Sequence, residues 1–385
     1  MNRVAVKPRL LNWALERSRK TPDELQKRQP CRRINKWLTG EVHPTHRQLQ
    51  DFATATSTPF GYFFLPDPPE EALSIPDFRT LPRGAVRRPS ANLIETLHTM
   101  QRRRDWLRDV LIEESAEPLD FVGSASLSDP PENVGQEMRR AVGLDEGWAG
   151  EVRTWTEAVH ELRRAIEKLG VMAVINGVVG NNTHRKLDVE EFRGFALSDA
   201  YAPLIFVNGA DYRSAQMFTL AHELAHLWLD SEGLSGFEGV IAGGSDVERF
   251  CDAAAAEFLV PGRELRAFWP SAGRDAEPFQ AIARQYKVSP IVAARRAWDL
   301  HLIGRSDFFG FYDDYRAEEH RKKVTGAGGG DFYNNQNTRV GELFAAEVVR
   351  AAKEGRIQFR EAYSLTGLYG AAFKNYAKHL GFDML

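Results

Sequence analysis

Cysteine is almost absent: Cys31 and Cys251 are the only two, on segments assigned below to different domains. A disulfide framework is not expected, and a reducing cytoplasm is the expected compartment. Long apolar runs are missing as well. No 18 consecutive residues are apolar and uncharged, and the opening Met-Asn-Arg-Val-Ala-Val-Lys-Pro lacks the apolar stretch of a secretion signal. Export and membrane insertion are therefore disfavoured. Net charge is also small, at −3, so the chain as a whole has no pull on a polyanion. No internal repeat is visible. The glycine-rich run at 326–330 lacks the Gly-Lys-Ser/Thr ending of a phosphate-binding loop. What is present is the composition of an ordinary soluble globular protein, 43% hydrophobic and 27% charged, whose 385 residues suit two to three domains.

One stretch stands out: Phe218-Thr-Leu-Ala-His-Glu-Leu-Ala-His-Leu-Trp-Leu229. It holds no charge except Glu223 and neither proline nor glycine, as a buried helix requires. His222 and His226 are four apart, so on a helix they share a face and can grip one metal ion. Glu223 between them is placed to reach a water on that ion. Two ordinary histidines on a helix would give the same pattern. A second stretch, 246–261, is alanine-rich, is stopped by Pro261, and carries Glu248 and Asp252 on one face. A catalytic zinc takes three protein ligands and leaves one position open. Glu248 is the candidate third ligand, and Asp252 the candidate carboxylate for the far ring nitrogen of His222. A solvated helix face is the alternative use of both acids.

These motifs resemble the ImmA/IrrE family of bacterial and phage metallopeptidases. The resemblance rests on Met217-Phe-Thr-Leu-Ala-His-Glu-Leu-Ala-His, on Pro203-Leu-Ile-Phe-Val-Asn208, and on Glu248 through Pro261. It departs at Cys251-Asp252 and Ala254-Ala255, where the family usually has Ala-Asn and Phe-Ala. The resemblance implies a zinc site formed by His222, His226 and Glu248, with Glu223 as the catalytic base. It also implies one regulatory protein as substrate: a repressor, an antitoxin or a toxin partner.

The first 50 residues break the charge balance, with 12 Lys/Arg against four Asp/Glu. Such an excess favours phosphate contacts. Helices are expected at 10–15, after the Thr21-Pro-Asp-Glu start, at 32–38 and at 48–53. Trp37, Gly40, Pro44-Thr45, Gln48-Leu49 and Phe60-Gly-Tyr-Phe-Phe64 resemble an XRE-type helix-turn-helix. That resemblance implies operator DNA as a partner through residues 1–60, read by Arg32, Arg33, Asn35 and Lys36. The second helix departs from the pattern, being short and followed by Pro30. A basic module that packs on a protein is the alternative.

Prolines punctuate 66–89, and a helix is expected over 92–114, then loop to 134 and a short helix at 137–142. Residues 156–169 have helical spacing; 171–175, 192–197 and 203–207 read as strands, with a hairpin between 177 and 187. The strand at 193–197 is expected at the sheet edge, where an extended peptide would pair. Tyr201, His184 and Tyr333 are candidates for stabilising an oxyanion. Helices are expected to open with Pro278 and Pro290, a pair that resembles the helical cap after the metal helices in this family, and helices at 339–353, 359–365 and 371–379 form a C-terminal module.

The expected fold is α+β: a mostly helical multidomain chain with a small sheet in a zincin-like core. Four regions are expected: 1–70 helix-turn-helix, 71–150 linker and connecting helices, 151–304 metallopeptidase, 305–385 helical module. The functional expectation is a cytoplasmic zinc endopeptidase in a stress, mobile-element or toxin–antitoxin response, with a homodimer left open. The alternative is a DNA-binding regulator or antitoxin that acts by binding, with a zinc site that does not cut.

Overall fold

In the first of two compact units, short helices are held together by apolar side chains and by their caps. The computed structural model describes residues 3–27, 29–76, 88–235, 245–322 and 332–383. The first unit comprises residues 1–74 with 81–98, the second 75–80 with 99–385. Helices α1 (Pro8–Ser18), α2 (Pro22–Gln26), α3 (Ile34–Leu38) and α4 (His46–Ala55) form the first unit, and a 3-10 turn follows at Phe60–Phe64. Thr21 and Thr45 each close a reciprocal capping box, with Glu24 and Gln48, worth about 1 kcal/mol apiece. Five residues are too few for a helix to stand alone. Leu25 of α2 and Ile34 and Trp37 of α3 are buried with Leu11, Leu49 and Phe52, and that packing is what holds them.

Helix α5 (Ala91–Glu113) begins in the first unit and ends in the second. The second unit continues with α6 (Pro131–Ala141), α7 (Trp148–Glu151) and α8 (Trp155–Lys168). Then come strands β1 (Met172–Asn176), β2 (Val178–Val179), β3 (Asn182–Lys186), β4 (Gly194–Leu197) and β5 (Leu204–Asn208). Helix α9 (Arg213–Trp228), strand β6 (Gly233–Ser235) and helix α10 (Asp246–Leu259) follow. The chain goes on through α11 (Gly262–Ala272), α12 (Pro278–Tyr286), α13 (Pro290–Asp299) and α14 (Arg305–Lys322). It ends with α15 (Phe332–Val340), α16 (Glu342–Lys353), α17 (Phe359–Thr366) and α18 (Ala371–His379). The class is α+β.

Four strands form one sheet in the order β1-β5-β4-β6, and β2 and β3 form a separate hairpin. β1 lies parallel to β5, while β4 is antiparallel to both β5 and β6. Side chains alternate between the sheet faces. Ala196, Ile205 and Val207 share a core with Leu220, Leu224 and Met217 of α9. Phe195 and Phe206 point to the opposite face and stack at 4.9 Å.

Several expectations require correction. The helix expected at 137–142 starts at Pro131, because Pro131 supplies the fixed φ of a first turn. α6 packs on α10 through Gly135, where an added Cβ would meet the Ala254 carbonyl oxygen at 2.5 Å. The helix expected over 339–353 is two helices, broken at Gly341 with φ +87°. α11 and α14 were not expected at all. Pro270 lies inside α11, whereas Phe308, Phe311, Tyr312 and Tyr315 of α14 follow the helical repeat that the sequence reading passed over.

Candidate metal centre

The face that carries the two histidines is produced by α9. From Gln216 to Trp228 every side chain but Phe218 is buried, and Glu223 and His226 are fully so. α10 packs across it, and Ala254 and Ala255 (both 0% exposed) add almost no bulk to that helix. Ser245 caps α10 by accepting the Glu248 amide. Glu248 thus starts the helix in the first turn, where a carboxylate also suits the macrodipole.

Three donor groups converge. The Nε2 atoms of His222 and His226 are 3.2 Å apart. Glu248 places one carboxylate oxygen 3.3 Å from His222 Nε2 and the other 3.1 Å from His226 Nε2. One ligand atom from each lies within 4.8 Å of the others. Donors on a tetrahedral ion with bonds of about 2.0–2.1 Å would be about 3.3–3.4 Å apart, so the spacing fits a single divalent metal. His222 Nδ1 lies 2.9 Å from Asp252 Oδ1.

The electrostatics agree with that fit. Burial works against charge on His222, but the hydrogen bonds and charges of Asp252 and Glu248 raise its pKa well above the ordinary value. Burial pushes His226 down despite its bond to Glu248, and the neighbouring His222 adds to the fall. Burial also opposes the Glu248 carboxylate, yet bonds from both histidines hold it far below the usual range.

Glu223 sits on α9 beside β4. A Cβ at Gly194 would lie 2.7 Å from Glu223 Oε1 and 2.6 Å from Thr219 Cγ2. Only glycine leaves room for the carboxylate there. The signal was available, since a lone glycine within a strand pattern marks close backbone approach. Ser231, whose Oγ lies 2.8 Å from His226 Nδ1, carried no such signal.

Other expectations fare differently. The strand at 193–197 is interior, with β5 on one side and β6 on the other, so no peptide can pair with it unless β6 leaves. β6 is only three residues long, too short to be read as a strand. Its Leu234 amide donates to the Pro76 carbonyl at 3.0 Å. His184 is exposed on β3, and Tyr201 sits in the turn between β4 and β5. Among the described hydrogen bonds none joins either to the metal cluster. Tyr333 falls in α15, and its side chain lies outside the described residues. In the first unit Arg32, Arg33, Asn35 and Lys36 are exposed around α3, and Lys36 pairs with Glu41 at 2.7 Å. Phe308 of α14 stacks on Trp298 of α13 at 4.9 Å.

Residues 166–297 match the peptidase M78 family model, described as the IrrE N-terminal-like domain. That segment contains β1 to β6, the two metal helices and the α12–α13 cap, and the match supports an ImmA/IrrE-type peptidase. Residues 340–379 match a domain of unknown function, DUF8813, which spans α16 to α18. No curated protein matches the chain. Among the described residues no helix is long and apolar enough to cross a membrane.

Proposed function

We propose that the chain is a zinc-dependent endopeptidase that cuts one regulatory protein in the cytoplasm, such as a repressor or an antitoxin. The observation that carries the reading is the convergence of His222, His226 and Glu248 from two helices, with Glu223 buried on the same helix as the histidines. His222, His226 and Glu248 would hold the ion, a donor set of two imidazoles and a carboxylate that suits zinc. When bound, that ion supplies Lewis acidity toward a scissile carbonyl and acidifies a water. Glu223 would act as the general base toward a water in the site and as the proton donor to the leaving amine. Asp252 accepts from His222 Nδ1 and fixes that ring. Gly194 keeps the space beside Glu223 open.

The test is co-expression with the product of the adjacent gene, followed by mass spectrometry of its fragments. Wild-type chain should give a discrete cleavage that Glu223→Gln abolishes while zinc content and melting temperature are retained. Unchanged fragments in the variant would overturn the reading. A second reading, action by binding operator DNA, is favoured by the exposed Arg32, Arg33 and Lys36 on the first unit. It predicts that Glu223→Gln has no phenotype.

A further inference from the structure

The two ligand imidazoles are held from behind by different partners. His222 has a carboxylate at Nδ1, whereas His226 has the hydroxyl of Ser231. Ser231 lies beyond the end of α9, and its place is set by how that helix stops. The Ser231 amide donates to the His226 carbonyl at 3.0 Å, and the Asp230 amide to the Leu227 carbonyl at 3.1 Å. This is the bond pair of a helix-ending turn with one left-handed residue. That residue is Asp230, at φ 48°, where glycine would be the unstrained choice. The Ser198 hydroxyl donates to the Asp230 carboxylate at 2.6 Å and ties the turn to the end of β4. With the backbone so fixed, a short side chain at 231 arrives against both the carbonyl and the ring of His226.

We propose that Ser231 is a positioning residue for the metal site, accepting the Nδ1 proton of His226 so that the Nε2 lone pair of that ring faces the ion. The proposal rests on the metallopeptidase reading above. An ion at Nε2 leaves the single proton of the neutral ring on Nδ1. Ser231 Oγ must then accept, so its own proton has to go elsewhere. The His226 carbonyl, 3.3 Å away, is in place to take it. Each donor thus has an acceptor in one tautomer, the one that binds metal. Without the hydroxyl, the Nδ1 proton of a buried ring loses its acceptor and the ring its orientation. Outer partners of this kind are worth about 10–100-fold in metal affinity. A neutral hydroxyl polarises an imidazole less than a carboxylate does, which puts Ser231 near tenfold.

The experiment uses the full chain as wild type, Ser231→Ala and Ser231→Thr. Zinc affinity is measured by chelator competition, and the visible absorption bands of the cobalt-substituted protein report ligand geometry. Ser231→Ala should bind zinc about tenfold more weakly and shift the cobalt bands. Ser231→Thr should restore both, and metal-free melting temperatures show whether the alanine variant is still folded. Wild-type affinity and spectrum in Ser231→Ala would overturn the proposal, as would a folded Ser231→Thr no better than the alanine variant. Selective 15N labelling of histidine in the zinc-loaded wild type reads the tautomer with no substitution, and a proton on Nε2 of His226 would also overturn it. A wild-type chain that takes up neither metal removes the peptidase reading itself, and this result differs from every one above.

Discussion

The metal helices α9 and α10 and the short helices α2 and α3 are built in opposite ways. The first pair run 16 and 14 residues and turn several polar side chains inward, with His226 and Glu223 fully buried. The second pair run five residues each and keep their charges outside, burying Leu25, Ile34 and Trp37. Burying an unpartnered polar group costs about 2–7 kcal/mol, so His222 and His226 are tolerable in the core because the partly buried Glu248 and Asp252 bond to them. Exposed Arg32, Arg33 and Lys36 carry no such cost and no such constraint. Substitutions in the buried cluster should therefore be specific and large, and those on α3 mild for folding and visible only with a partner present.

The sharpest break of this contrast is Glu223→Gln, expected to lower cleavage by about 10²–10⁴-fold with metal content unchanged, measured by fragment yield and metal analysis. Glu248→Ala should lose metal outright, since two imidazoles alone leave a zinc site one protein ligand short; zinc stoichiometry after dialysis reads it. Gly194→Ala should cost about 1–3 kcal/mol through overpacking. It should also depress cleavage beyond any change in zinc affinity, because the new methyl meets the Glu223 carboxylate; thermal melts and kinetics together check this.

A fourth expectation concerns Glu167 on α8, which accepts the Glu342 amide at 2.8 Å and pairs with Arg163. Burial pushes its carboxyl up to about 7 from 4.5, against the pull of Arg163. A carboxyl with a raised folded pKa stabilises most below its unfolded pKa, and the contribution is lost as pH rises through the folded one. Unfolding free energy should thus fall between pH 4.5 and about 7 from this group, and Glu167→Gln should flatten that slope in denaturant titrations. The smallest effect belongs to the first unit. Arg32→Ala with Arg33→Ala should leave the melting temperature unchanged and, if operator DNA is the partner, reduce the salt dependence of binding by about one to two phosphates.

Much of the site was legible because it is periodic. His222 and His226, and Glu248 and Asp252, obey the four-residue helical repeat, which survives in sequence. Thr21 announced its helix start with Pro22 and Glu24 behind it, whereas the helix expected at 48–53 starts at His46 behind the Thr45 cap. The strand at 193–197 was correct as a strand and misplaced as an edge, because its second partner, β6, pairs 37 or more residues away and leaves no trace in its composition. Its neighbour β6, at three residues, has too little sequence to alternate. Gly341 split an expected helix because a left-handed φ is a property of tertiary fit, here against Glu167 and Val174.

By itself the sequence determined what depends on local spacing: the two metal helices and which side chains each presents on one face. Tertiary structure alone decided that the faces meet, with donors 3.1–3.3 Å apart, and that Ser231 closes behind His226. Those contacts join residues brought together by the packing of α10 on α9 and by the turn that ends α9. Such proximity is set by the balance of burial and backbone geometry across the whole unit, which no local pattern of residues encodes.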